Sequence, residues 1–192
     1  MNSPHQHFII SMMFILATIF LCSCAGPKFM SDSTGSVTVM ESLPTEEKMT
    51  IVWQRPWDES KKIVGMVENQ FIAEVLAREL RKTNLFQIES VVPDTATVES
   101  PLKFTVWLEG STESGWCSRS FAPSSTNSVT IGGVLINQKQ GVTVARLSKS
   151  RRAQGGVCGV GGYLSASDVA MKETLIEWVV EDVVKEFIAS RK

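Results

Sequence analysis

Residues 102–110 read LKFTVWLEG, and the fold can be read outward from that alternation. Phe104, Val106 and Leu108 fall on one side and Thr105, Trp107 and Glu109 on the other, the period of a strand with one buried face. Two further strand-like runs follow, Ser128–Asn137 and Gly141–Lys149, with Gln138, Lys139 and Gln140 between them as a hairpin turn. Upstream, Met49–Trp53 and Leu85–Val92 have the β-branched and aromatic content of strands, and Pro56 and Pro93-Asp94 stop them. Two segments change period. From about Ser60 to Lys82, Val67, Phe71, Ile72, Val75, Leu76 and Leu80 recur at spacings of three and four, an amphipathic helix. From about Ala166 to Ala189, Leu175-Ile176, Val179-Val180, Val183-Val184 and Phe187-Ile188 form a wide helical face. The order β-α-β-β-β-β-α predicts an α+β fold: a mixed, mainly antiparallel sheet of about five strands, with both helices on one face so that both stripes are buried.

Local signals agree with these limits. Arg81 and Lys82 suit the negative end of the first helix dipole, and Asn84 stands where a left-handed cap is expected. Ser165 and Asp168 have capping-box spacing ahead of the last helix.

The N-terminus belongs to a different kind of segment. Phe8–Leu21 is an apolar run of about 14 residues, short of the roughly 20 that span a bilayer. It ends in Leu21-Cys22-Ser23-Cys24, which resembles the bacterial lipobox: an aliphatic residue, a small residue at the cut, then the cysteine whose thiol takes the lipid. Residues 1–7 hold no Lys or Arg, so an uncleaved anchor helix stays open as a second reading. The lipobox reading divides the chain into a signal peptide (1–23), the lipidated Cys24 with a polar tether (24–48) and one α+β domain (49–192). Ala25 follows the cysteine where an aspartate commonly retains lipoproteins in the inner membrane. The expected place is therefore the outer membrane, facing the periplasm.

Charge and composition exclude several classes of function. The net charge is −1, and none of it lies in residues 1–23, a balance that argues against nucleic acid. Both histidines, His5 and His7, precede the expected cut, so the remaining chain lacks the commonest general base and metal ligand. No pair of carboxylates stands out as acid and base, and Glu177 and Glu181 read as solvent-facing. The chain is expected to be no enzyme and to hold no cofactor and no metal.

Of the four cysteines, Cys117 and Cys158 remain beyond the anchor. In an oxidising compartment they are a candidate disulfide closing a loop of about 42 residues, a stabilisation of roughly 4 kcal/mol in the chain-entropy model. Strands 102–110 and 141–149 would flank 128–137 and run the same way, leaving their exits about 10 Å apart at one end of the sheet. Two separate thiols are the other reading. Arg146, Lys149, Arg151 and Arg152 form a short basic cluster, and Trp107 with Trp116 is a candidate aromatic contact patch. Each has a plainer reading, as a solvated strand end and as packing. Gly155–Gly162 is glycine-rich but matches no phosphate-loop spacing, and reads as a turn or an exposed contact loop.

Glu79-Leu80-Arg81-Lys82-Thr83-Asn84-Leu85-Phe86, then Gly155–Gly162, then Ala170–Val184, give a plan that resembles a broad group of periplasmic lipoproteins. The group includes YajG-like lipoproteins, the N-terminal domain of TolB and CsgG-like secretion lipoproteins. The resemblance implies a binding or assembly role and carries over no functional residue. The long spanning hairpins of the CsgG pore are not evident here. The expected partners are the membrane, through the lipid, and an envelope protein. The alternatives are a self-assembling subunit of a transport complex and a binder of lipid or glycan, and the sequence does not set the oligomeric state.

Overall fold

The computed structural model describes residues 30–42, 47–55, 62–112, 126–154 and 168–190. Along them run β1 (Met30–Val39), β2 (Lys48–Trp53), α1 (Lys62–Thr83), β3 (Gln87–Pro93), β4 (Leu102–Thr112), β5 (Thr126–Asn137), β6 (Val142–Gln154) and α2 (Asp168–Ala189). The fold is α+β, with one six-stranded mixed sheet in the order β1-β6-β5-β4-β2-β3. β2 runs parallel to both β3 and β4, whereas β4, β5, β6 and β1 form an antiparallel run.

Handedness decides which face stays open. The β2–α1–β3 crossover moves toward one edge and places α1 on one face. The β3-to-β4 connection steps back over β2 in the opposite direction. A right-handed return then runs across the other face. Residues 94–101 therefore strap β2 on the side away from the helices. This accounts for the burial of Thr50 and Val52, which point to that side.

α1 and α2 pack on each other and against the sheet, and one core joins them. Phe187 is central to it. Its ring meets Phe104 edge-on at 5.7 Å and Phe86 at 6.4 Å, tying α2 to β4 and to the exit of α1. Such pairs contribute about 0.5–1.5 kcal/mol beyond burial. Asn84 has φ 53°, the left-handed cap expected at the end of α1.

Two sequence expectations shift. Residues 24–48 are expected as a polar tether, yet Met30–Val39, 10 residues, form β1. The backbone ladder with β6 holds this strand, while Asp32–Ser36 stay exposed and Val37 and Val39 touch the core. A strand so polar carries little of the alternation that marks one. On α1, Val67 is 65% exposed rather than part of the buried stripe. The inward face passes through Asn69, Ile72, Ala73, Leu76 and Leu80 instead.

Candidate functional site

Strand period divides the basic cluster. Across β5–β6 the pairs Ile131–Lys149 and Val129–Arg151 lie on the helix-covered side, whereas Val134–Arg146 and Ser128–Arg152 lie on the open side. Arg146 and Arg152 are both exposed, but about 20 Å of strand separates them. The basic residues are therefore two pairs on opposite faces and not one patch.

The helix-side pair is committed to structure. Lys149 is 7% exposed, and its ammonium donates to the Glu186 carboxylate of α2 and, at 3.2 Å, to the Gly35 carbonyl. The other oxygen of Glu186 accepts the Val37 N–H at 2.7 Å. Gly35 makes this possible: its φ is +85°, and a Cβ there would stand 2.2 Å from the Ser148 carbonyl oxygen. Arg151 donates through Nε and Nη2 to the two oxygens of Asp182, at 3.0 and 3.3 Å, and lies 5.4 Å from the Trp178 ring centroid. α2 thus grips β1 and β6 through charged side chains.

On the open face, Trp107 packs over Gly132, its partner across β4–β5. A Cβ at Gly132 would stand 2.5 Å from the indole, so the glycine is the seat of the ring. Trp107 remains half-buried, and nearby Ser148 Oγ donates to Glu109 at 2.9 Å. Cross-strand hydroxyl pairs continue the surface, Thr112–Ser128 at 2.7 Å and Thr130–Ser150 at 3.1 Å. Among the described residues this is a polar surface with one aromatic plate. Trp116, the other half of the expected patch, lies outside the described residues, as do Cys24, Cys117, Cys158 and Gly155–Gly162.

Charged groups with displaced pKa values belong to surface ion pairs. Hydrogen bonds from Lys82 hold the Glu79 carboxyl below its ordinary value, with Arg78 adding to them. Glu177 and then Glu79 raise Arg78, and Glu89 raises Lys48. Among the described residues no cluster of three or more His, Cys, Asp or Glu could hold a metal ion, and no helix is long and apolar enough to cross a membrane.

No family model matches the chain, and no curated protein matches it. Solved structures with a similar plan include a PelC dodecamer from Paraburkholderia phytofirmans, with a TM-score of 0.47 and 13% identity, covering 80% of this chain and 97% of that one. A DUF330 protein from Xanthomonas campestris gives a TM-score of 0.42 and 12% identity, covering 81% and 90%. Lipoprotein GNA1162 from Neisseria meningitidis gives 0.36 and 12%, covering 74% and 99%.

Sequence reasoning passes over several positions that organise the fold. Asn69, 5% exposed within α1, donates to the Gln54 carbonyl at 2.5 Å and accepts the Leu108 N–H at 2.7 Å. It thereby satisfies the backbone beside the register shift between Leu108 and Gly110. Its signal is a lone polar residue on an apolar helical face. Asp182 and Glu186 are acidic residues four apart beside the buried Val183 and Phe187, a spacing that marks a helix edge turned toward a neighbour.

Proposed function

We propose that the chain is a lipid-anchored, non-catalytic protein-binding or assembly module of the bacterial cell envelope, held at the outer membrane and facing the periplasm. The observation that carries this is the lipobox-like Leu21-Cys22-Ser23-Cys24, standing just ahead of the first strand of a sheet domain. The absence of histidine after that cysteine supports a role without acid–base catalysis. So does the use of Lys149, Glu186, Arg151 and Asp182 as fasteners between elements. The resemblance to YajG-like, TolB N-terminal and CsgG-like lipoproteins belongs to this same reading. The surface offered to a protein partner is the open face around Trp107 and Arg146, where an aromatic plate is bordered by an exposed cation.

A disulfide between Cys117 and Cys158 is part of the proposal. The β4 and β6 exits flank β5 at one end of the sheet, through the pairs Thr112–Ser128 and Ser128–Arg152. Each cysteine follows one of these exits by a few residues.

Intact mass of protein purified from membranes, with and without reductant, is the test. The expected species begins at a lipid-modified Cys24 and gains about 2 Da on reduction. A full-length mass without acyl chains refutes the anchor, and an unchanged mass refutes the disulfide. A photo-crosslinker at Arg146 is expected to capture an envelope protein. Crosslinks to further copies of the chain alone, with a discrete oligomer in detergent, would replace the binding role by self-assembly.

A further inference from the structure

We infer that a lipid bilayer is the standing neighbour of one end of this fold, the end where β1 begins and β6 finishes, and that the β5–β6 hairpin points away from it. The inference rests on lipidation at Cys24, as proposed above, and adds the orientation that the geometry then imposes.

The first strand begins at Met30, so the chain between the lipidated residue and the sheet is residues 25–29. That stretch spans at most about 20 Å from Cys24 to Met30, whatever conformation it takes. Met30 pairs with Gln154, and Thr126 pairs with Gln154 from the other side, which places the start of β1, the end of β6 and the start of β5 together. The end of β4 joins them, since Thr112 pairs with Ser128. This corner of the sheet is therefore held within about 20 Å of the membrane. Both helices also begin at this end. α1 follows the end of β2, and the ion pair between Lys172 and Glu68 sets the first turns of α2 beside those of α1. The positive ends of two helix dipoles thus face headgroup phosphates. Exposed Arg152 stands at the same end.

β6 runs from Val142 to Gln154, so the hairpin at 138–141 lies about 40 Å further along the strand direction. A tether as long as residues 24–48 would let the domain tumble. The shorter reach of residues 25–29 keeps the β1-start end, on average, the nearer of the two ends to the membrane.

The test uses the full-length lipoprotein, reconstituted in vesicles of phosphatidylethanolamine and phosphatidylglycerol that contain a headgroup spin-labelled lipid. A genetically encoded fluorescent amino acid is placed at Arg152 or at Lys139, both exposed. Circular dichroism confirms that each variant is folded, and intact mass confirms its acylation. Quenching is expected to be at least about twofold greater at 152 than at 139, because about 35 Å separates them along the strand direction. Equal quenching at the two sites, or more at 139, overturns the orientation. A mass without acyl chains overturns instead the lipidation on which it rests, so the two failures are distinguishable.

Discussion

Replacing Glu186 with Gln should destabilise the fold far more than replacing Lys149 with Met, although both changes remove the same ion pair. The asymmetry comes from burial. The Lys149 side chain is 8% exposed, while that of Glu186 is 34% exposed. With Gln at 186, the ammonium stays buried and keeps the Gly35 carbonyl at 3.2 Å. Stranding one charge of a buried pair costs about 3–5 kcal/mol, and access of water near residue 186 brings the expectation to about 2–4 kcal/mol. With Met at 149, the remaining carboxylate still accepts the Val37 N–H and reaches solvent, and Met fills the space of the lysine stem. That change should cost about 1 kcal/mol or less. In urea denaturation followed by circular dichroism, the Gln variant should lower the midpoint by about 1–2 M for a slope near 2 kcal/mol/M. The double variant should recover most of the loss. If Lys149→Met costs as much as Glu186→Gln, or if the double variant is no better than Glu186→Gln alone, the reasoning from unequal burial is wrong.

Gly132→Ala should displace the Trp107 ring and cost about 1–3 kcal/mol by overpacking, read as a lowered melting temperature together with a change in near-ultraviolet circular dichroism. Asn69→Ala leaves the Gln54 carbonyl and the Leu108 N–H without this partner and should cost about 2–4 kcal/mol in denaturant titration; a neutral result would show that water replaces the side chain. Glu79 has a folded pKa below its unfolded one, so its contribution is present above the unfolded value and is lost as pH falls through the folded one. Glu79→Gln should therefore cost less than about 1 kcal/mol at neutral pH and nothing in acid, measured as stability against pH.

The elements with strong periodicity are legible in the sequence because their burial is one-sided. β4 alternates cleanly since one of its faces meets the helices, and α2 shows paired apolar residues since it packs against both α1 and the sheet. β1 is largely hidden for the opposite reason. Its run from Ser31 to Ser36 is small and polar, and a long-range ladder to β6 sets its place, which local sequence does not encode. The same limit applies to the site. A run of basic residues is visible in one dimension, but which of them share a face depends on where the strand continues. β6 extends past Lys149 to Gln154, and that extension sends Arg151 to the helix side and Arg152 to the open side. Asp182, the partner of Arg151, lies 31 residues away, and no local pattern joins the two.

The edges of the sheet bear on how a partner can approach. Met40 N–H donates to the Val144 carbonyl at 2.8 Å, so by antiparallel alternation the N–H of Val37 turns away from β6, toward the free edge of β1. Glu186 occupies it there, and Gly35 nearby holds a positive φ of 85° within the strand. The other edge, β3, ends in Pro93, which has no N–H to offer, and carries the Lys48–Glu89 ion pair at its beginning. Both edges are thus blunted in the manner that discourages strand addition. A second copy or a partner that extended the sheet at β1 would first have to displace the Glu186–Val37 bond. On the proposed orientation, the open face around Trp107, the outer faces of the two helices and the distal end at the β5–β6 hairpin remain available to the proposed partner. If the proposed binding role holds, edges of this kind favour recognition by side chains on those surfaces over backbone pairing.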